Sequence, residues 1–358
     1  MSEEIKDKIR PMEKEKKQII PEEQSLDKAT IKMLYKAQAD GVETIFDRAE
    51  NMKACNIGIQ GTCCKLCAQG PCRLPLTKKD MEGKDTRKGL CGATPETVAA
   101  RNFARMVAAG SASHSDHGRS IAGVFLAAAR RESPDYDIVD EKKLRAIAPD
   151  FGVPISVTVD GVETPRNKYE IAVEVGEKAL GDWGKQEGEV YYAKRAPKPR
   201  YDLWKKLDIV PRGIDREIVE LMHRTHMGVD QDYENITKQC FRAALADGWA
   251  GSMIATDLSD VLFGTPKPIH GEINLGVLKE DHVNIIVHGH ESLLPEMIVV
   301  AARDPEMLSY AKSKGAKGIV LAGMCCTANE LLVRHGMPIA GNFLQQELAI
   351  VTGVVDAM

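Results

Sequence analysis

The chain has 358 residues, 43% of them hydrophobic and 28% charged, which is ordinary for a globular protein of two or three domains. Its formal net charge of −4 argues against nucleic acid or an acidic membrane surface as a partner. Residues 1–20 are densely charged, unlike a signal peptide, and no apolar run approaches the roughly 18 residues that span a bilayer. The composition therefore predicts a cytoplasmic protein without a membrane anchor.

The first three quarters of the sequence predict a charged arm followed by a helical domain. Residues 1–26 are rich in charge and contain two prolines, so we expect them to be disordered, and we expect the helical domain over 27–270. Thr94 and Pro95 are typical of a helix start, and Gly110 should end that helix. Further helices are predicted from apolar spacing over 26–51, 118–131, 212–228 and 235–264.

The last quarter changes character and alternates short β-branched runs with helical patterns. Strands are expected at 283–290, 318–326 and 337–343, alternating with helices at 294–315, 327–336 and 345–358. This alternation predicts a Rossmann-like parallel α/β domain over 271–358, so the fold class is mixed α and α/β. Three strands are few for such a domain, and we expect the sequence to hold only its first part. No G-x-G-x-x-G follows a strand, so a dinucleotide is not expected.

Six of the nine cysteines lie in one segment, 55–91. In a reducing cytoplasm such a cluster is typical of metal binding or catalysis, not of disulfides. The spacing of Cys64, Cys67, Cys72 and Cys91, three close thiols and one distant thiol, suits a [4Fe–4S] cluster. A zinc site with spare thiols remains an alternative on spacing alone. Cys55 and Cys63 are left over, and they could supply half of a second cluster that a symmetry-related subunit completes.

Two further groups of ligand-type residues follow predicted strands or share a helix face. The HGH triplet at 288–290 and the Cys325–Cys326 pair each fall at the carboxyl end of a predicted strand, where α/β folds place ligands. Imidazole and thiolate together suit iron, nickel or zinc. His114 and His117 are three residues apart, so they would share a helix face and could pass protons. A buried cysteine with a hydrogen-bonded histidine, or two surface histidines, would give the same patterns.

Taken together, the 55–91 cysteines and the stretches ATDLSDVLFGTP, HGHE and AGMCCTANE resemble the catalytic subunit of anaerobic nickel–iron carbon monoxide dehydrogenases. The resemblance implies that Cys55 and Cys63 bind a [4Fe–4S] cluster shared across a homodimer, and that Cys64, Cys67, Cys72 and Cys91 bind a second one. It also implies that His290 and Cys326 are two ligands of a nickel–iron–sulfur cluster. The roles it implies for other residues are an acidic group near that cluster for Asp247 and the start of a proton-carrying series for His114 and His117.

The reaction implied by this resemblance is CO + H2O → CO2 + 2H⁺ + 2e⁻, with electrons leaving through the [4Fe–4S] clusters to ferredoxin or a similar carrier. An acetyl-CoA synthase is a further partner that the resemblance suggests. Because the family's other active-site ligands fall beyond Met358, we expect this chain alone to be inactive. The alternative is a non-catalytic iron–sulfur protein of electron transfer or cluster assembly. The resemblance departs at Ser120 and Gly123, where the family continues its histidines, and in a longer interval between Cys72 and Cys91.

Overall fold

A computed structural model describes residues 17–74 and 79–358. Within them the helices are α1 Pro21–Gln24, α2 Lys28–Ala39, α3 Ile45–Asn51, α4 Pro95–Ala129, α5 Glu141–Ile147, α6 Lys168–Gly184, α7 Lys198–Lys206, α8 Ile214–Arg224, α9 Tyr233–Ala246, α10 Met253–Phe263, α11 Leu293–Arg303, α12 Pro305–Ser313, α13 Cys326–His335 and α14 Gln346–Val351. The strands are β1 Cys63–Cys64, β2 Cys72–Arg73, β3 Ser156–Val159, β4 Val162–Pro165, β5 Val283–His288, β6 Ile319–Met324 and β7 Ile339–Gly341. The mixed α and α/β fold class is confirmed.

The segment at 17–26 is packed against the fold, which corrects the expectation of a disordered arm for that part of 1–26. Ile19 is only 5% exposed and shares a hydrophobic cluster with Leu34 of α2 and with Ile286 of β5. The backbone N–H of Lys17 donates to the side chain of Asn51 at 2.9 Å. Burial of a few apolar side chains therefore outweighs the charge of this stretch. Residues 1–16 lie outside the described residues, and the proposed domain boundaries stay predictions.

The helix that begins after Thr94 is much longer than predicted. Thr94 caps it by accepting from the N–H of Thr97, as expected, but α4 continues past Gly110 for a total of 35 residues. A Gly in the middle of a helix costs only about 1 kcal/mol relative to Ala. Packing on both sides of Gly110 compensates for this cost, since Ala108 and Ser111 are both nearly fully buried. The predicted end at Gly110 is therefore wrong.

The helical core forms around α4. Its carboxyl half packs against α6 and α10, and the largest hydrophobic cluster contains Phe125, Phe151 and Trp183, all at most 2% exposed. The Trp183 indole N–H donates to the backbone carbonyl of Ser115 at 2.9 Å, which fixes the end of α6 against α4. A hairpin of β3 and β4 lies outside this core, with mostly exposed side chains.

Helices α9 and α10 form one rod that is widened by a π-helical turn at Asp247–Ser252. The helices predicted over 212–228 and 235–264 are thus present, but the π turn was not predicted. π turns are frequent at functional sites because they displace side chains from regular helical positions. Here the turn begins with a residue of the predicted site, Asp247.

The α/β part has a three-stranded parallel sheet in the order β5-β6-β7. Val283 is paired with Ile319 and His288 with Met324, so β5 and β6 end at the same edge. The helix predicted over 294–315 is two helices that separate at Asp304–Pro305, as expected for a residue preceding proline. The final helix stops at Val351 and does not reach Met358; instead the N–H of Ile286 donates to Ala357 at 2.8 Å, beside β5.

Across residues 17–74 and 79–358, none of the helices combines the length and apolar character needed to cross a bilayer. The longest helix, α4, carries charged and polar residues along most of its length.

Candidate metal centres

The cysteine segment has little regular structure. Strands β1 and β2 have two residues each and pair antiparallel, with Cys64 opposite Cys72. Cys63 is half-buried and Cys64 buried, so the adjacent thiols face different surroundings, as expected for neighbours on a strand. The side chains of Cys64, Cys72 and Cys91 belong to one small cluster together with Leu66, Leu74, Ala93 and Val98.

Backbone N–H groups donate hydrogen bonds to two sulfurs of the cysteine segment. Gly58 donates to the Cys55 sulfur at 3.4 Å, and Leu90 donates to the Cys72 sulfur at 3.5 Å. The N–H groups of Gly58 and Ile57, with a contribution from the charge of Lys65, lower the pKa of the Cys55 thiol. Such donors stabilise thiolate sulfur, the form that binds metals.

Cys91, which follows Cys72 by 19 positions in the sequence, has a cationic neighbour. Burial raises the pKa of the Cys91 thiol, but the N–H of Ala93 and the guanidinium of Arg101 outweigh burial and lower it overall. The Arg101 Nη1 to Cys91 Sγ distance is 3.7 Å. The thiolate form of Cys91 is therefore favoured as well, although Cys91 lies on a separate loop from the other cysteines.

These observations fit an iron–sulfur cluster. Over residues 17–74 and 79–358, no three His, Cys, Asp or Glu side chains converge closely enough to bind one metal ion. A cubane makes a different demand, because each thiolate binds a separate iron and the sulfurs stay apart. Clustered thiols with N–H donors around them meet that demand. The structure brings Cys64, Cys72 and Cys91 together, and it leaves Cys55 exposed.

The second candidate centre lies at the carboxyl edge of the parallel sheet. His288 is the last residue of β5, and Cys325 directly follows β6. Their side chains meet, with 3.0 Å between the His288 Nε2 and Cys325 Sγ atoms. Cys325 has a φ of +62°, an unusual value for a residue other than glycine, so the chain turns sharply into α13 here. Cys326 follows as the first residue of α13.

A cavity of about 140 Å³ opens where this edge meets α4. Its walls combine both predicted groups, and its lining includes His114, His117, His290, Cys326 and Glu330. The rings of His117 and His290 are stacked with 4.9 Å between their centres, and the rings of His114 and His290 lie 6.4 Å apart in an edge-to-face arrangement. The structure thus brings the two histidines of α4 together with His290 and Cys326, which are more than 170 positions away in the sequence.

Asp247 completes the histidine side of this site. Its Oδ2 atom is 3.2 Å from His114 Nδ1, and its Oδ1 atom accepts from the Ser252 hydroxyl at 3.1 Å. The π turn supplies both Asp247 and Ser252. A carboxylate in this position orients the His114 ring.

Two further properties of the site suit metal binding and proton transfer. Burial lowers the pKa of His290, and the nearby His117 and His114 lower it further, which favours the neutral imidazole that binds metals. The Nδ1 atom of His117 is buried and has no hydrogen-bond partner within the described chain. Buried polar atoms without a partner are rare and point to a group that occupies the neighbouring space.

Two residues of these centres were not identified from the sequence. Glu330 lies one helical turn after Cys326 on α13, lines the cavity, and pairs with the buried Arg334. The i, i+4 spacing from Cys326 is a signal that could have identified it. Arg101 carried no signal, because nothing in its local sequence separates it from other helix arginines.

Thiols gathered in a loop segment, together with imidazole and thiolate at the ends of parallel strands, are typical of proteins that hold metal–sulfur clusters. Comparison with known families identifies the particular group. The chain belongs to the Prismane/CO dehydrogenase family, whose model matches residues 62–358.

Relatives and solved structures of this family are highly similar. Carbon monoxide dehydrogenase 1 of Methanosarcina mazei is 51% identical over 337 residues, covering 94% of this chain and 52% of the relative. The carbon monoxide dehydrogenase/acetyl-CoA synthase subunit beta of Moorella thermoacetica is 43% identical and covers 94% and 48%. A nickel-free crystal structure of the carbon monoxide dehydrogenase of Thermococcus sp. AM4 superposes with a TM-score of 0.86 and 45% identity, covering 95% and 52%. The chain spans about half the length of these relatives.

Proposed function

We propose that this chain is part of an anaerobic carbon monoxide dehydrogenase, which oxidises CO with water to CO2, two protons and two electrons. The observation that carries the proposal is the cavity where His290 and Cys326 of the sheet edge face His114 and His117 of α4. A metal ligand pair and a set of proton acceptors thereby share one small space. The similarity to named carbon monoxide dehydrogenases supports the same reading.

In this proposal the thiols divide among three clusters. Cys64, Cys67, Cys72 and Cys91 hold a [4Fe–4S] cluster within the chain, and Cys55 and Cys63 hold half of a [4Fe–4S] cluster shared with a second copy. His290 and Cys326 contribute two ligands to a nickel–iron–sulfur cluster, which requires further ligands from the rest of the enzyme. When bound, that cluster supplies the site at which CO and water react and the two electrons are collected.

In this proposal, residues of this chain accept the protons that the reaction releases. His117 stacks on His290 and has a free buried ring nitrogen, so it is placed to accept a proton released in the cavity. His114 lies beside the same imidazole, and its ring is oriented by the Asp247 carboxylate at 3.2 Å. Side chains such as Ile121 and Ala255 line the remaining wall and limit the cavity to a few molecules the size of water.

The partners follow from the same proposal. The electrons leave through the [4Fe–4S] clusters to ferredoxin or a similar carrier, and the shared cluster requires a homodimer. The relative from Moorella thermoacetica is named as a subunit of a carbon monoxide dehydrogenase/acetyl-CoA synthase. An acetyl-CoA synthase is accordingly a candidate partner of this chain, and the cytoplasm is the compartment we propose.

The first test is metal content after purification without oxygen. We expect about six irons per chain, one cubane plus half of a shared one, and little nickel. One zinc with little iron would contradict the proposal and favour the zinc alternative.

The second test is CO-dependent reduction of a viologen dye. The chain is assayed alone and together with the second half of the Methanosarcina mazei relative, supplied as a separate polypeptide. Activity is expected only in the mixture. Iron–sulfur clusters without CO oxidation in the complemented form would favour the non-catalytic electron-transfer alternative.

A further inference from the structure

A buried arginine lies next to the last thiol of the cysteine segment. Arg101, in the second turn of α4, is only 1% exposed. Its Nη1 atom lies 3.7 Å from the Cys91 sulfur, and its Nη2 atom donates to the backbone carbonyl of Asp230. Its Nε atom is buried and has no hydrogen-bond partner in the described part of the chain.

No carboxylate neutralises this guanidinium within residues 17–74 and 79–358. The side chain of Asp230 is near in sequence to the accepting carbonyl, but its carboxylate pairs with Arg224 at 3.1 Å. A buried cation without a paired anion is strongly destabilising. An anion can offset this cost, and the Cys91 sulfur, 3.7 Å from Arg101 Nη1, carries a negative charge as a thiolate.

Hydrogen bonds join the segments that surround Arg101 to one another. Gln231 donates to the carbonyl of Cys91 at 3.0 Å, and the Thr97 hydroxyl donates to the carbonyl of Gln231 at 2.7 Å. The loop before α9, the first turns of α4 and the Cys91 loop are thus tied together around the guanidinium. These segments enclose the guanidinium, and only 1% of Arg101 is exposed.

We propose that Arg101 is a positioning residue that tunes the cluster bound by Cys91, by stabilising its reduced state and so raising its reduction potential. The inference rests on the proposed function, because it requires a [4Fe–4S] cluster at Cys64, Cys67, Cys72 and Cys91. One-electron reduction adds one negative charge to such a cluster. A fixed cation at a poorly solvated thiolate stabilises the reduced form more than the oxidised form.

The experiment is a redox titration of anaerobically purified protein, monitored by electron paramagnetic resonance. The relevant signal is the one that disappears in Cys72→Ser. In Arg101→Gln the ratio of reduced to oxidised cluster at a fixed potential should fall about tenfold, a shift of about 59 mV for one electron. Arg101→Lys keeps the charge, and its ratio should change by less than about threefold.

Arg105→Gln is the matched control. Arg105 lies one turn further along α4 and donates to the Thr225 hydroxyl at 2.7 Å, so it also ties α4 to the segment before α9 without touching a thiol. Its titration should match the unmodified protein. If the role of Arg101 is purely structural, Arg101→Gln and Arg105→Gln should shift the midpoint potential of the cluster equally, or neither should shift it.

The outcomes separate the two levels of the proposal. Unmodified protein without iron would overturn the proposed clusters themselves. Bound iron with an unchanged midpoint in Arg101→Gln would overturn only the tuning role. If Arg101→Gln binds no iron, the titration of Arg101→Lys is the deciding measurement. A tenfold or larger change in its ratio of reduced to oxidised cluster, although the charge is retained, would also contradict the inference.

Discussion

The two candidate metal centres are built in opposite ways. The cysteine segment consists of loops and two strands of two residues, and its order depends on a few N–H donors and a small apolar cluster. The cavity at the sheet edge is formed by strand ends, a 35-residue helix and a π turn, all of which belong to the packed fold. The first centre should therefore gain its final shape from the bound metal, whereas the second is shaped in advance by the fold.

Removing one thiol from each centre gives the largest contrast. Cys72→Ser should lower the iron content by about four per chain, because the in-chain cubane needs all four thiolates. The segment at 55–91 should then become sensitive to proteolysis. Cys326→Ser should leave the upstream iron and the proteolysis pattern unchanged. Iron analysis and limited digestion without oxygen check both, and equal losses in the two variants would contradict the comparison.

The next test removes a proton acceptor and leaves the cavity shape intact. His117→Phe preserves a ring against His290 but lacks the free nitrogen. We expect kcat for CO oxidation by the assembled enzyme to fall about 100-fold, with metal content unchanged. Partial rescue by added imidazole would support proton transfer. An unchanged kcat would show that protons leave the cavity by another route.

The preformed frame behind the cavity can be tested with two glycines of α4. A methyl group at Gly118 would lie 2.7 Å from the Gly251 carbonyl oxygen, a backbone atom that cannot move aside, so Gly118→Ala should lower the unfolding free energy by about 1–3 kcal/mol. At Gly110 the same change meets nothing within 4 Å and should raise stability by about 0.5–1 kcal/mol. Chemical denaturation measures both values, and opposite signs are the expected result.

A smaller effect is expected from Asp182 at the end of α6. Burial raises the pKa of this carboxyl to about 6, although the N–H of Tyr191 and the charge of Lys185 oppose the shift. A raised pKa means that the folded state favours the protonated acid, so stability is lost as pH rises through about 6. Between pH 5 and 7.5 the loss should be about 1 kcal/mol. Asp182→Asn should remove this pH dependence, which denaturation at both pH values would reveal.

Much of this organisation could be predicted from the sequence. The β-branched runs before His288 and Cys325 identify strands, and parallel strands necessarily end at the same edge. The spacing of the clustered cysteines is local information that does not depend on tertiary structure. For these reasons the fold class was predicted correctly, and the strand-end histidine and cysteines lie where the pattern put them.

The remaining features depend on packing between distant segments. Gly110 is a helix terminator by local preference, but the buried faces on either side of it continue α4. The contact of Asp247 with His114 joins residues 133 positions apart through a π turn that has no sequence signature. Arg101 is distinguished by its burial, its contact with Cys91 and the absence of a carboxylate partner among the described residues, none of which a sequence can show.

The unbroken helix α4 fixes the distance and the relative orientation of the two centres. Arg101 and His114 stand thirteen residues apart on it, about 20 Å at 1.5 Å per residue. Inserting or deleting one residue between them would turn one end of the helix by about 100° relative to the other. His114 and His117 would then face away from the cavity, whereas Arg101 would still contact Cys91. A change of seven residues, close to two full turns, would nearly restore the direction but alter the distance between the two centres. The length of this interval is therefore constrained by two centres at once.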